Sequence, residues 1–310
     1  MENRAAIRAR VLAAIAANRA PGFHFPGYFL DVRWSAVAPE RSHLTLTDVP
    51  WLRDHDGNID LLALTVLADI ALGTAARAED RTGERLSTVH LQMQFTGVPS
   101  RGDVAADACL LGHAVGTALE QRLTAATLYA QDRPVCRASG EFVRLATPDG
   151  VALGPLPWQS RSSETTAPAN EATLNHVERD IVRACDEHLA VPAHGERFLR
   201  RFWLGRAHGI TDADYRIATG VHVGNRVGHV QGGILVGIAA IAASEVAPPG
   251  TGLSNISAWF VSPGQGALAA SAQVLHAGRN TAVVRSLLRG DDGRTVLEAV
   301  TQHIALGQAG

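Results

Sequence analysis

Two helix-length stretches of this chain are apolar on nearly every face, and each opens the same succession of elements. They run from Asp60 to Gly73 and from Gln231 to Ser244. A helix that is apolar all round cannot lie on a surface, so each must be enclosed by other elements. After each comes a Leu-Ser pair at a strand start, Leu86-Ser87-Thr88 and Leu253-Ser254-Asn255, and then a Pro/Gly break at Gly97-Val98-Pro99 and Pro263-Gly264. Two further β-type runs follow in both units. They are Leu119 to Tyr129 and Val135 to Leu145 in the first, and Thr281 to Leu288 and Thr295 to Leu306 in the second. Polar turns, Gln131-Asp132-Arg133 and Gly290-Asp291-Asp292-Gly293, join the runs. Internal repetition decides architecture more firmly than local propensity.

One enclosed helix followed by antiparallel strands, written twice, predicts an α+β fold in which a sheet wraps a central helix and pairs with its twin. The expected division is residues 1–146 for the first unit, 147–176 for a linker and 177–310 for the second. The linker is rich in Pro, Ser, Thr, Ala and Gly; an ordered surface crossover is an equal reading. Ile7, Val11 and Ile15 recur every four residues, which predicts an amphipathic helix packed on the first unit. An Arg-rich transit peptide is the alternative for that stretch. A second amphipathic helix, from about Glu171 to Leu189, leads into the second unit.

Composition narrows the chemistry. All 28 basic side chains are Arg, and no lysine occurs. Schiff-base chemistry, pyridoxal-phosphate anchoring and the Gly-Lys-Ser/Thr phosphate loop each need a primary amine, so they are excluded. The net charge of −2 argues against a nucleic-acid partner. Cys109, Cys136 and Cys185 are widely spaced and form no Cys-x-x-Cys pair, which points to a reducing, cytoplasmic compartment without structural zinc. The histidines have no paired spacing, so no metal is expected. No stretch has the roughly 18 uninterrupted apolar residues of a membrane span, and no Gly-x-Ser-x-Gly elbow is present.

The run Gly228-His229-Val230-Gln231-Gly232-Gly233-Ile234-Leu235, with Asn225 seven residues before Gly232, resembles the Asn…Gly-x-Val-His-Gly-Gly start of the central helix in phenylacetate-pathway-type acyl-CoA thioesterases. Leu67-Ala68-Asp69-Ile70-Ala71-Leu72-Gly73 resembles the mid-helix acid of the same hotdog family. The halves are also similar, in swapped order, to those of acyl-CoA thioesterase II. The resemblance covers about residues 50 to 145 and 215 to 306. It implies a double hotdog, an acyl-CoA or acyl-carrier thioester substrate, hydrolysis without a cofactor, and assemblies of more than one chain.

In single-copy relatives the acid lies eight residues after the first glycine. Here that position is Ala240 in the second unit, while the residue eight before Asp69 is Leu61. Each unit has what the other lacks. The resemblance therefore implies one composite site, from Asp69 and the Gly232-Gly233 helix start, and a dead counterpart at Leu61 and Ala240.

Asp69 stands out without the resemblance, because a carboxylate among Leu67, Ile70 and Leu72 is costly to bury unless something uses or pairs it. Burial raises its pKa, which suits a general base or nucleophile; an ion-paired or capping Asp is the bland reading. Gly232 and Gly233 would let a thioester carbonyl approach the free N–H groups of a helix start, or would serve close packing. The resemblance gives Asn225 a role in holding the carbonyl or water, against a turn residue, and gives Thr88 a role in positioning water, against plain β-propensity. Gln231 replaces the family's His with an amide that can only orient. His229 faces the site or solvent. The last-strand Gln of the relatives has only Ser139 or Glu141 as its local match. Arg200, Arg201 and Arg206 form a basic cluster that meets coenzyme A phosphates or merely faces solvent. Two rivals remain: a hotdog hydratase, suggested by Asp54-His55-Asp56-Gly57-Asn58, and a non-catalytic acyl-thioester-binding protein.

Overall fold

The computed structural model describes residues 4–19, 24–77, 85–116, 118–146, 153–159, 167–190, 198–206, 215–217 and 220–307. Parts of the expected linker, 147–152 and 160–166, and the loop 78–84 lie outside them, as does the side chain of Arg206.

In chain order the elements are α1 (Arg4–Asn18), α2 (Phe25–Phe29), β1 (Val32–Ala38), β2 (Arg41–Leu46), α3 (Leu61–Arg77), β3 (Arg85–Phe95), β4 (Val104–His113), β5 (Gln121–Ala130) and β6 (Arg133–Leu145), then α4 (His176–Ala190), α5 (Phe198–Trp203), β7 (Gly205–Arg206), β8 (Tyr215–Ile217), α6 (Gly232–Val246), β9 (Thr251–Phe260), β10 (Leu268–Ala277), β11 (Thr281–Gly290) and β12 (Thr295–Ala305). The strands form one sheet of 12 in the order β1-β2-β4-β5-β6-β3-β9-β12-β11-β10-β8-β7. The succession β4-β5-β6-β3 is mirrored by β9-β12-β11-β10 about the β3–β9 pair. There Leu91 faces Ala258 and Met93 faces Ile256 in antiparallel register.

The two apolar helices are α3 and α6, and they lie against each other on the inner face of the sheet. Ile234, Val236, Ile238, Leu62, Val66 and Leu67 are all fully buried, and each such side chain contributes about 1.5–3 kcal/mol of burial. The strands supply the facing layer by strict alternation, as β5 does with every second residue buried. Gln131 and Asp132, both with positive φ, make the tight β5–β6 turn.

The starts of the two helices are built alike, bond for bond. Asn225 N donates to His229 O and Val230 N to Gly264 O; Asp54 N donates to Asn58 O and Ile59 N to Ser100 O. Asn225 Oδ1 accepts from the N–H groups of Val227 and His229, and Asp54 Oδ1 from those of Asp56 and Asn58. Gly228 and Gly57 supply the left-handed residue of each turn, at φ 81° and 80°. Gln231 therefore corresponds to Asp60, Gly232 to Leu61 and Gly233 to Leu62.

The strand register expected from the repeated Leu-Ser pairs is corrected. Val89 is the bulged residue of β3 and Ser254 that of β9, so Thr88 corresponds to Leu253 and not to Asn255. The slip is two residues, which preserves the facing of every side chain and so escapes the alternation pattern.

The first helix, α1, buries Ile7, Val11 and Ile15. Its Arg8 binds Glu171 and Asp186, the latter on α4. The described parts of the expected linker are packed: Leu156 is buried, Trp158 lies 6.2 Å from Trp34, and Ala169 N donates to Leu12 O. They form an ordered crossover. Strands β4 and β10 went unforeseen because both are rich in Ala, a weak strand former.

Candidate active site

Asp69 sits in the middle of α3, 8% exposed, and its carboxylate meets the start of α6. Thr88 Oγ1, on β3, donates to Oδ1 at 3.0 Å. Gln231 Nε2 donates to Oδ2 at 2.6 Å, and the Gly233 N–H to the same oxygen at 3.2 Å. Burial is the dominant influence on this carboxyl and raises its pKa to about 6. It outweighs the hydrogen bonds from Thr88 and Gly233 and the charge of Arg77, all of which favour the ionised form. Asp69 is thus poised to exchange a proton near neutrality.

Gln231 does two jobs with its two amide ends. Its Oε1 accepts from Ile234 N at 2.9 Å and so caps α6, while its Nε2 is turned to the acid. Flipping the amide would break both bonds, so its orientation is fixed. This accounts for an amide at this position.

The adjacent glycines answer to different causes. A Cβ on Gly232 would lie 3.0 Å from Asp69 Oδ2, so a bare backbone here lets the carboxylate reach the helix start. The Gly232 N–H has no partner among the described residues and points out of the positive end of the α6 dipole. A Cβ on Gly233 would come within 2.5 Å of Thr65 O and 2.6 Å of Val66 Cα. Gly233 is therefore a packing residue where α6 crosses α3, and the expectation that it opens a path for substrate is corrected; only its N–H belongs to the site. Gly237 continues the same contact one turn later, against Thr65 Oγ1 and Leu62.

These groups face a cavity of about 350 Å³ bounded by α3, β3, the loop before α6 and the crossover segment. Asn225 and His229 line it. The Asn225 side-chain oxygen is committed to its turn, at 3.0 and 3.1 Å, which leaves only its amide nitrogen for a ligand. His229 is held below the usual histidine range by burial and by Arg85, and is neutral at pH 7. Ser139 and Glu141 do not line the cavity. Glu141 accepts from Gln121 Nε2 at 2.8 Å and faces His90 Nδ1 at 3.5 Å. His90 Nε2 in turn meets Ser257 Oγ at 2.8 Å. This Ser-His-Glu chain lies across strands whose N–H groups are spent on the ladder, so nothing there could receive an oxyanion.

Several lining residues were missed in the sequence: His24, Trp34, Arg77, Arg85, Leu153, Leu156, Trp158 and Arg226. The signal for the crossover wall was present in Leu153-Gly-Pro-Leu-Pro-Trp158, an apolar string inside an otherwise polar stretch.

At the counterpart position the frame is the same and the side chains differ. Asp60, fully buried, caps α3 through Oδ1 to Leu62 N at 2.9 Å, and its Oδ2 accepts from Arg200 Nε at 2.7 Å. Arg200 is thereby removed from the cluster expected to meet coenzyme A phosphates. Leu61 stands for Gly232, Ala240 for Asp69 and Leu253 for Thr88.

Comparison with known proteins bears on the fold. Residues 222–303 match the family described as acyl-CoA thioesterase N-terminal domain. No curated protein matches the chain significantly. Among solved structures, the tesB protein of Mycobacterium avium subspecies paratuberculosis is 12% identical, covering 96% of this chain and 100% of its own, at a TM-score of 0.52. An oleoyl thioesterase from Lactobacillus plantarum is 11% identical, covering 88% and 99%, at 0.53. A protein of hot dog fold from Alicyclobacillus acidocaldarius is 10% identical, covering 90% and 96%, at 0.51. At such identities these likenesses speak for the fold. The fold of the chain is thus the α+β hotdog, and residues 222–303 are similar to an acyl-CoA thioesterase domain.

Proposed function

We propose that the chain is a tandem of two hotdog units, residues 1–146 and 177–310, which share a single composite site for hydrolysing an acyl-CoA thioester. The observation that carries this reading is the Asp69 carboxylate of the first unit seated on the helix start of the second, with Gln231, Gly233 and Thr88 as donors.

The thioester carbonyl oxygen takes the free Gly232 N–H at the positive end of α6, where negative charge develops on attack. Asp69, ionised above pH about 6, then acts in one of two ways. As general base it draws a proton from a water oriented by Thr88 and Gln231, and the water oxygen bonds to the carbonyl carbon. The intermediate collapses with loss of the thiolate, which takes up that proton. As nucleophile it bonds to the carbonyl carbon itself and expels the thiolate, and water then cleaves the mixed anhydride. Both routes release the carboxylic acid and the thiol. Asn225 Nδ2 and His229 border the acyl path as binding groups. The Leu61–Ala240 counterpart has no acid and is inert. The three free cysteines suit a reducing, cytoplasmic setting.

The hydratase reading loses its basis, since Asp54-His55-Asp56-Gly57-Asn58 forms the turn beside the Asp60–Arg200 pair, away from Asp69. The decisive experiment is thiol release from a panel of short, long and aromatic acyl-CoAs. Wild-type protein should turn over part of the panel, and Asp69→Asn should lose about a thousandfold or more in kcat while keeping its circular dichroism. Wild-type protein that releases no thiol anywhere in the panel, or a fully active variant, overturns the reading.

A further inference from the structure

Arg226 is a charged residue of the cavity that has no place in this chemistry. It lies in the loop before α6 and lines the cavity. Its Nη2 donates to Gly154 O at 2.6 Å, but Nε and Nη1 are buried without a hydrogen-bond partner. No acid among the described residues compensates it, and burial pulls its ionisation down. The turn does not require it either, because the corresponding residue of the first unit is His55, whose side chain is exposed.

Its surroundings offer no counter-charge. His24, which caps α2 through Nδ1, is kept neutral, with its pKa near 4, by burial and by the charges of Arg226 and Arg77. Among the described lining residues Asp69 is the one acid. Arg77 is the cation that acts on its carboxylate, and Arg226 makes no hydrogen bond to it. A buried cation without an anion is unfavourable unless a ligand supplies the charge, and an apolar tail cannot. At about 350 Å³ the cavity is at the small end of ligand pockets, which suits an acyl group better than the whole of coenzyme A.

Resting on the thioesterase reading above, we infer that the preferred substrate carries a carboxylate on its acyl group, remote from the thioester, and that Arg226 receives it. A guanidinium suits this task because its planar fork binds a carboxylate through two parallel hydrogen bonds.

The test compares kcat/KM for ω-carboxyacyl-CoAs with that for plain acyl-CoAs of equal length, and repeats both with acyl-pantetheines, which lack the phosphates. Wild-type protein should prefer the carboxylated chain by about tenfold or more in both series, and Arg226→Gln should bring the ratio close to one. A preference for the plain chain overturns the inference, as does a loss in Arg226→Gln that follows the phosphates and not the carboxylate. In either case hydrolysis itself would still uphold the thioesterase reading. A measurement on wild-type protein guards against a variant that does not fold or a panel that is not turned over. A free dicarboxylic acid should raise the melting temperature more than the monocarboxylic acid of equal length, and equal shifts overturn the inference.

Discussion

The starts of α6 and α3 are the same backbone carrying opposite chemistry. Each is entered through a turn with a left-handed glycine, an Asx side chain holding two N–H groups, and a β-bridge, Gly224 to Val230 in one and Arg53 to Ile59 in the other. At α6 the capping side chain is neutral Gln231, whose spare amide reaches a lone carboxylate. At α3 it is Asp60, whose spare oxygen is satisfied by Arg200. The difference teaches that the duplicated frame is indifferent to function. On the proposed reading, four residue identities, at 69, 88, 231 and 232, set the reactive end apart from the structural one, where Ala240, Leu253, Asp60 and Leu61 stand.

Asp69→Asn breaks the comparison hardest, by making the active end as inert as its counterpart. Beyond the loss of turnover it has a consequence for stability, with a sign opposite to that of most core substitutions. The carboxyl titrates near about 6 in the fold and near about 3.9 in the unfolded chain, so the fold prefers the protonated form. The ionised acid therefore costs nothing below pH about 4, and its cost is complete above pH about 6, at about 3 kcal/mol. Asn can keep an oxygen facing Gly233 and Gln231 and turn its nitrogen to Thr88. Chemical denaturation should find the variant more stable than wild type at pH 8 and no more stable at pH 4. Equal gains at both pH values would remove desolvation as the cause.

The glycines sharpen the contrast between reaction and packing. Gly233→Ala should destabilise by several kcal/mol or prevent folding, because its Cβ meets helix backbone that cannot yield. Gly232→Ala meets only a carboxylate, at 3.0 Å. It should leave the melting temperature within a few degrees and lower kcat by about a hundredfold, by pushing the acid off the helix start. Equal damage to stability from both would put Gly232 in the packing class as well.

At the other helix start, Arg200→Ala strands Asp60 as a buried anion and should cost about 2–4 kcal/mol, with KM for an acyl-CoA unchanged. A large rise in KM would instead return Arg200 to the substrate-binding role first considered for it.

How much of this was legible in the sequence follows the range of the interactions. The enclosed helices, the lone acid and the glycine helix start were readable because each is a local anomaly: a stripe without a polar face, a charge in that stripe, a Gly-Gly pair at a cap. The pairing of Asp69 with the Gly232-Gly233 start was suggested by the family resemblance and not by the residues alone. The role of Gly233 was not legible, since it depends on where Thr65 and Val66 of another helix lie. Nor was the Asp60–Arg200 pair, whose members are 140 residues apart. The bulges at Val89 and Ser254 leave no mark on residue type, so the strand register could only be seen in the ladder.

Thr88 gives the smallest expected effect and the finest test of the asymmetry with Leu253. Its hydroxyl donates to Asp69 Oδ1 and favours the ionised acid. Thr88→Val keeps the strand propensity and removes that bond, so the Asp69 pKa should rise above its present value of about 6. A hydrogen bond to a charged group is worth about 1.5–3 kcal/mol, so the shift should be roughly one unit after relaxation. The acidic limb of the kcat/KM profile should move to higher pH by that amount. At pH 6 the variant would be markedly slower, while above pH 8 most of the rate should return. A loss of rate uniform across pH would instead mean that the part Thr88 plays in orienting the water outweighs its bond to Asp69. An unchanged profile would mean that the second unit's Leu253 could stand at this position without consequence, and that the duplicates differ in one group fewer.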